Sequence, residues 1–395
     1  MPLSTQLRSK FPQQLLILLS VVGFCILVRV RSFSSSRYSG TPNSISTTTK
    51  MTRSSSSSGA RPLPSEWKLL GPSNFPNPVS SEDGYRYAKD DEYLGAVLDS
   101  WEQDITTALS PQQVETSPWI YHDDYGTPLY GHVIRPTVSS KETNTTDSIG
   151  DGLPSPLRPG ILLFHTAAGP QDVFLFQKAA TLASSDLGCV VLICDVLSDQ
   201  EGWAWTPDGD RTRFNALKEE LLRENAALMR SRVEAAVRAL DGLGVDPRRL
   251  ASLGWCFGAQ PILELAILQH QQDGEKEKDA LAFSATALVS YHGVYRREPS
   301  DFADVPSSGI ESSIDREVLI CTGRSDPFVS PDDLEFARAT MEKQNFAVRI
   351  MEFDGAKHGF SNPAQDFNSN PAFQYNEVAA IQSWEATMVL LRRKL

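Results

Sequence analysis

The chain has 395 residues, and 41% of them are hydrophobic, which is enough to bury the core of one large domain with extensions or of two small domains. Its formal net charge is −12, and so acidic a chain is poorly suited to bind phosphate backbones. The composition therefore predicts a folded protein, and the charge argues against a nucleic-acid-binding function.

Residues 1–65 differ in composition from the rest of the chain. No Asp or Glu precedes Glu66, and the apolar run 15–28 is shorter than the roughly 20 residues of a membrane span. A stretch rich in Ser, Thr and Arg follows that run. These features predict a targeting leader with two alternatives: import into an organelle (plastid or mitochondrion) followed by removal of the leader, or a membrane anchor formed by 15–28.

The next segment, 66–117, is predicted to be an N-terminal extension whose part 92–109 has apolar residues at helical spacing. The pattern changes at Pro118, where the main domain, 118–395, is predicted to begin. Its first part, 118–136, has the pattern of a hairpin that turns at Asp124–Gly126.

Apolar segments typical of buried strands then alternate with segments of helical periodicity. Strands that are apolar throughout and separated by helices indicate a mostly parallel, doubly wound α/β sheet with helices on both faces. The strands are predicted at 160–164, 188–196, 249–255, 285–293, 316–323 and 347–353, and the helices at 171–184, 217–244, 260–270, 331–344 and 376–393.

The five cysteines form neither a disulfide framework nor a zinc cluster, because their number is odd and their spacing fits neither. We therefore predict a reducing compartment for the main domain, and no metal or other cofactor. Cys189, Cys194 and Cys321 lie in strand-like segments and are predicted to be small buried hydrophobic residues.

Cys256 is different, because it lies between two glycines in "SLGWCFGAQ", after a predicted strand and before a predicted helix. This is the pattern of a nucleophile elbow, in which Gly254 leaves room for the turn and Gly258 lets the helix start close to the sheet. A helix N-terminus favours a reactive thiolate, and the N–H of Phe257 would face a developing oxyanion. The alternative is a buried cysteine in an ordinary strand–helix turn.

Two further residues follow Cys256 in the order nucleophile, acid, histidine that α/β-hydrolases use. Asp326 comes just after one predicted strand, in "CTGRSDPFVSP", and His358 just after the next, in "FDGAKHGFSNP". Loops at the carboxyl edge of such a sheet hold its ligands. We predict that His358 moves the proton and that Asp326 fixes its tautomer. Alone, each segment would be a plain turn or a solvated loop.

These motifs resemble the dienelactone hydrolase (carboxymethylenebutenolidase-like) family of the α/β-hydrolase fold, over about residues 118–394. The resemblance implies that an ester or lactone is hydrolysed through a thioacyl-enzyme, with Cys256, Asp326 and His358 on the catalytic positions. The segments that carry it are "LLFHTAAGPQD", "GWCFGAQ", "VSYHG", "CTGRSDPFVSP" and "KHGFSNP".

The chain departs from the family at two positions. The best-studied members have a glutamate that helps to form the thiolate where this chain has Thr166, although the N–H of Ala167 would still complete the oxyanion hole. Members that act on dienelactone have an arginine four residues after the catalytic histidine, where this chain has Asn362. A bidentate clamp on a carboxylate needs Arg, so dienelactone itself is not the expected substrate.

We predict instead a pocket for a less charged, partly apolar ester or lactone. Its lining is predicted to be Thr166, Trp255, Tyr291, Phe360 and Asn362, with Trp203 or Trp205 as further candidates. His165 and His292 are predicted to be structural. The partner is a small molecule, and membrane contact is expected only through the apolar segment of the leader.

Two other functions compete with a cysteine hydrolase. Because Thr166 replaces the activating carboxylate, the domain could be an inert hydrolase-fold protein that binds a ligand. A redox role for Cys256 ranks last, because the sequence places no resolving cysteine near it. The sequence leaves the oligomeric state open.

Overall fold

A computed structural model of the protein describes residues 68–70, 114–137, 157–170, 172–198, 203, 210–274, 283–295, 315–368 and 370–395. Within these residues one sheet has nine strands in the order β1-β2-β3-β5-β4-β6-β7-β8-β9. The strands are β1 Lys68–Leu70, β2 Val114–His122, β3 Pro128–Pro136, β4 Arg158–Phe164, β5 Val190–Cys194, β6 Val245–Trp255, β7 Ala285–Tyr291, β8 Glu317–Gly323 and β9 Ala347–Phe353.

The sheet is antiparallel at its first edge and parallel elsewhere. Strands β1, β2, β3 and β5 pair antiparallel, and the pairs from β5–β4 to β8–β9 are all parallel. The predicted hairpin is confirmed as β2 and β3, and each of the six predicted strands is present. The predicted α/β-hydrolase fold class, a mostly parallel sheet with helices on both faces, is confirmed as well.

Five helices cover the two faces of the sheet within the described part of the chain. They are α1 Val173–Ser184, α2 Asp210–Ala239, α3 Ala259–Gly274, α4 Pro331–Lys343 and α5 Glu377–Lys394. One buried apolar cluster packs the sheet against α2, α3 and α4, and a second packs the other face against α1 and α5. The strands are therefore apolar on both sides, as the sequence predicts for a sheet covered by two layers.

The helix predicted at 217–244 differs from the observed one in its bounds and continuity. Helix α2 begins at Asp210, ends at Ala239, and is interrupted at Arg223–Ala226. Three residues there have left-handed dihedrals, with φ of 53° at Glu224, 61° at Asn225 and 57° at Ala226. The break leaves Asn225 exposed while Ala226 is buried. Apolar periodicity continues on both sides of the break, so it did not reveal the interruption.

The domain bounds and the localisation of the leader stay predictions. The predicted boundary between residues 117 and 118 falls inside β2, because that strand begins at Val114. The leader 1–65 and the helical segment 92–109 lie outside the described residues. Among the helices that the structure describes, none is long and apolar enough to span a bilayer.

Candidate active site

Cys256 lies at the carboxyl end of β6, where the chain turns into α3. It opens a 3₁₀ turn, Cys256–Gly258, that leads directly into that helix. Its φ is 55°, in the left-handed region that residues with a side chain rarely adopt. Strain of this kind persists only where the surrounding structure holds it, and it is concentrated at functional sites. Cys256 is partly exposed, whereas Cys189, Cys194 and Cys321 are buried.

The two glycines of the elbow are required by close backbone contacts. A Cβ atom on Gly254 would overlap the carbonyl group of Gly258. A Cβ atom on Gly258 would overlap the carbonyl of Phe164 and would lie 2.9 Å from the carbonyl oxygen of His165. The absence of both side chains brings the start of α3 against the end of β4. The elbow and the His165–Gly169 loop therefore lie side by side.

His358 and Asp326 form a buried pair in the loops after β9 and β8. The imidazole Nδ1 lies 2.8 Å from Asp326 Oδ2, and the other carboxylate oxygen accepts the N–H of Phe328 at 2.8 Å. The backbone of His358 is held as well, by hydrogen bonds to Ala372 and Gln374. The carboxylate therefore has a fixed position, and it fixes the ring of His358.

The side chain of Cys256 acts on the pKa of His358, which Asp326 holds at 2.8 Å, so the three residues are neighbours in the order Cys256, His358, Asp326. Burial disfavours the charged imidazolium. The charge of the Cys256 thiolate, together with hydrogen bonds to Asp326 and Cys256, outweighs burial and raises the pKa of His358 from 6.5 to about 10. At neutral pH this arrangement favours the charged form of the His358 imidazole.

Three rings surround His358 edge-on. Their centroids lie 4.7 Å (His292), 4.9 Å (Phe328) and 5.1 Å (Phe373) from the centroid of its ring. His292 is buried with a φ of 38°, and its pKa lies well below 6.5, first because of burial and then because of the charge on His358. Phe328 and Phe373 were not among the residues predicted for the site. Phe328 could have been found, because it lies two residues after the acid.

The segment Thr166–Gly169 forms a tight turn beside the elbow. The hydroxyl of Thr166 accepts the N–H of Ala168 at 3.1 Å, and Trp203 Nε1 donates to the carbonyl of Ala167 at 2.8 Å. Phe257 is the second residue of the 3₁₀ turn, and the first N–H groups of a helix have no partner within it. Both predicted oxyanion donors, the N–H groups of Ala167 and Phe257, thus belong to the two backbone segments that meet here.

Trp255 and Tyr291 do not have the positions predicted for them. Each is only 1% exposed, and their rings stack at 5.0 Å on the sheet face that carries α1 and α5. Trp255 also packs edge-on against Phe174, and the hydroxyl of Tyr291 lies 2.5 Å from Thr387 Oγ1. These side chains are core residues and do not line a pocket. Trp255 and Tyr291 are paired across β6 and β7, so their side chains share one face of the sheet.

The other predicted pocket residues also have local roles. Phe360 is fully buried and contacts the rings of His292 and Tyr291. Asn362 is 5% exposed, and its Oδ1 accepts the N–H of Ala364 to cap the 3₁₀ turn Pro363–Phe367.

Two of the predicted pocket residues, Trp203 and Thr166, lie at the turn Thr166–Gly169. Trp203 is buried against the turn Thr166–Gly169, and Trp205 lies outside the described residues. Thr166 itself is partly exposed beside the elbow, and of the predicted lining residues it has the position closest to the prediction.

The sequence model of the dienelactone hydrolase family matches residues 152–395, which is more than half of the chain. The chain belongs to this family. This membership makes the protein a hydrolase, as predicted. No protein among the curated sequences matches the chain.

Two solved structures are similar to the dienelactone hydrolase domain. A protein called m3DLH is 24% identical and covers 71% of this chain and 99% of its own, with a TM-score of 0.53. A dienelactone hydrolase-like promiscuous phosphotriesterase from metagenomic libraries is 23% identical and covers 71% of this chain and 98% of its own, with a TM-score of 0.52. At these identities the likeness supports the fold alone.

Proposed function

We propose that the protein hydrolyses a small carboxylic ester or lactone through a thioacyl-enzyme formed on Cys256. The observation that carries this proposal is the series Cys256–His358–Asp326, in which Asp326 holds His358 at 2.8 Å and Cys256 lies on a strained turn at the carboxyl edge of the sheet. In that series each group has a chemical task that its position suits.

In the first half of the reaction the thiolate of Cys256 attacks the acyl carbon. A sulfur–carbon bond forms, and the electron pair of the carbonyl moves onto its oxygen, which the N–H groups of Phe257 and Ala167 stabilise. The intermediate collapses, the carbon–oxygen bond breaks, and the imidazolium of His358 gives its proton to the leaving alkoxide. With a lactone the new hydroxyl stays attached to the acyl group.

In the second half, water replaces the thiol. The now neutral His358 takes a proton from the attacking water, and the tetrahedral intermediate expels the thiolate. A carboxylic acid leaves, and the thiolate and the imidazolium are restored. Asp326 accepts the Nδ1–H of the ring throughout and stabilises its charged form.

The pair of Cys256 and His358 also explains how the thiolate could form although Thr166 replaces the family's glutamate. A glutamate at that position would help to form the thiolate. In this chain His358 favours its charged form, with a pKa of about 10, and so can balance the thiolate without a further carboxylate. Activation by the histidine alone is therefore the mechanism we propose.

The surroundings of His358 favour an uncharged substrate with an apolar leaving group. The ring gives its proton to the leaving group, so that group must lie beside it. Phe328 and Phe373 are partly exposed there and contact the ring edge-on. Asn362, at the position of the family's arginine, is buried and caps a turn. An apolar alcohol suits these rings better than a carboxylate does.

Replacement of Cys256 tests this function. We expect the full-length protein to hydrolyse short aryl esters and small lactones, and Cys256→Ala to lose turnover while its unfolding temperature stays the same. Cys189→Ala is the matched control, because burial raises the pKa of the Cys189 thiol to about 12 and makes it unreactive. Turnover by Cys256→Ala at the wild-type rate would contradict the proposal.

The missing carboxylate at Thr166 favours one alternative, an inert protein that binds an ester-like ligand. Such a protein would leave all esters and lactones intact, and its Cys256 would react with iodoacetamide no faster than a free thiol. An alkylation rate well above that of a free thiol at neutral pH would speak against it.

A further inference from the structure

His165, the residue after β4, is fully buried and held at both ring nitrogens. Its Nδ1 lies 2.6 Å from the carbonyl oxygen of Thr166, and its Nε2 lies 3.2 Å from the backbone nitrogen of Val196. A backbone N–H only donates, so Nε2 must accept and carries no proton. A carbonyl only accepts, so Nδ1 must carry the proton. The contacts therefore select one neutral tautomer of the ring.

The nearest carboxylate does not change this assignment. Asp195 Oδ1 lies 3.8 Å from Nε2 of His165, which is too long for a hydrogen bond. The carboxylate has other donors, because it accepts the N–H groups of Tyr130, Leu197 and Ser198 at 2.9–3.1 Å and also the hydroxyl of Ser198. The ring of His165 thus joins two stretches of backbone, at Thr166 and at Val196.

The carbonyl that His165 holds belongs to the peptide unit of a proposed oxyanion donor. The C=O of Thr166 and the N–H of Ala167 share one planar trans peptide, so they point in opposite directions. The N–H of Gly169 also reaches this carbonyl, at 3.2 Å, and Trp203 holds the next carbonyl along the chain. No hydrogen bond within the described part of the chain uses the N–H of Ala167.

We propose that His165 is a positioning residue of the oxyanion hole. Its neutral ring fixes the Thr166–Ala167 peptide so that the N–H of Ala167 is available to the oxygen of the tetrahedral intermediate. The inference rests on the proposed function, because it assigns a role in the acylation of Cys256. It also predicts that the two histidines act at different stages. His358 forms the thiolate, and His165 acts only when negative charge develops on the substrate oxygen.

Two substitutions separate the two hydrogen bonds of the ring. In His165→Asn the side-chain amide can occupy the place of Nδ1 and still donate to Thr166. In His165→Gln the longer amide can accept from Val196 in the place of Nε2, but the donor to Thr166 is lost. The inference requires the Asn variant to resemble the wild type and the Gln variant to be impaired. His132→Asn is the control. His132 lies on β3, and its ring packs against Phe176.

Two reagents distinguish an effect on the oxyanion hole from an effect on the thiolate. An aryl trifluoromethyl ketone adds to Cys256 reversibly and forms an oxyanion, whereas iodoacetamide alkylates the sulfur and forms none. For His165→Gln we expect the affinity for the ketone to fall by about 10²-fold or more, which is the effect of losing one oxyanion donor. The rate of alkylation by iodoacetamide should stay within about twofold of the wild-type rate. His165→Asn should keep most of the affinity, and both variants should unfold near the wild-type temperature.

Ketone affinity and alkylation rate test the role of His165 without a measurement of turnover. Unchanged ketone affinity in His165→Gln would overturn it, and so would a parallel loss of ketone affinity and alkylation rate, which indicates a general disturbance of the elbow. A wild type that alkylates at Cys256 but forms no ketone adduct would overturn it too. If the wild type binds the ketone in this pattern but hydrolyses no ester or lactone, the proposed function fails while the role of His165 stands.

Discussion

Asp326→Asn tests how the histidine is held. Asp326 is buried and accepts two hydrogen bonds of 2.8 Å, from the N–H of Phe328 and from Nδ1–H of His358. An asparagine has one accepting oxygen and one donating nitrogen in the same places. If the oxygen stays on Phe328, the NH₂ group faces Nδ1, the ring proton must move to Nε2, and the imidazolium loses its acceptor.

The alternative orientation of the amide is also costly. Turning the amide restores the bond to His358 but opposes its NH₂ group to the N–H of Phe328, and a buried unsatisfied donor costs about 1–3 kcal/mol. The neutral amide also gives up a charged hydrogen bond worth about 1.5–3 kcal/mol. Together these losses come to roughly 3–6 kcal/mol, or about 10²–10⁴ in rate.

The assay compares kcat, KM and thermal unfolding of Asp326→Asn with those of the wild type on one aryl ester. We expect kcat to fall by about 10²–10⁴ with little change in KM, because the loss affects proton transfer more than binding. Asp354→Asn is the control, because that carboxylate is 85% exposed and pairs with Arg324 at the surface. A folded Asp326→Asn enzyme within about tenfold of the wild-type kcat would refute the role given to the acid.

Two further predictions concern the elbow and the ionisation of the site. Gly258→Ala places a Cβ atom against the carbonyls of Phe164 and His165, and these backbone groups cannot rotate away. We therefore expect the unfolding free energy to fall by about 1–3 kcal/mol. We also expect turnover to fall, because the elbow that carries Cys256 is displaced. Chemical unfolding measures the first, and a variant as stable as the wild type would contradict it. Because the pKa of His358 is raised to about 10, its acidic form persists through neutral pH, and turnover should decline only as pH rises through about 10. A pH–rate profile whose alkaline decline is centred near pH 7 would contradict this assignment.

The elbow and the order of the site residues could be predicted from the sequence because both depend on local pattern. A strand, two glycines around Cys256 and a helix define one turn, and each later strand end puts its loop at the same edge of the sheet. Asp326 and His358 follow such strand ends, so their meeting required only the strand order. The parallel sheet itself was evident from strands that are apolar throughout.

The burial of these strands on both faces also explains what the sequence could not predict. Because β6 and β7 are buried on both faces, their residues do not alternate between polar and apolar, and nothing indicates which face Trp255 or Tyr291 occupies. Phe373 reaches His358 through a β-bridge between residues fifteen positions apart, which periodicity does not encode. The left-handed break in α2 also lacks a glycine to mark it.

The mass of the protein during turnover shows whether Cys256 carries the acyl group. The full-length protein would be mixed with an aryl ester, quenched with acid within the first turnover, and analysed intact and after digestion. We expect the mass to increase by that of the acyl group, located on Cys256, and the increase to disappear as the free acid forms. Hydrolysis without an adduct on Cys256, or with the adduct on another residue, would contradict it.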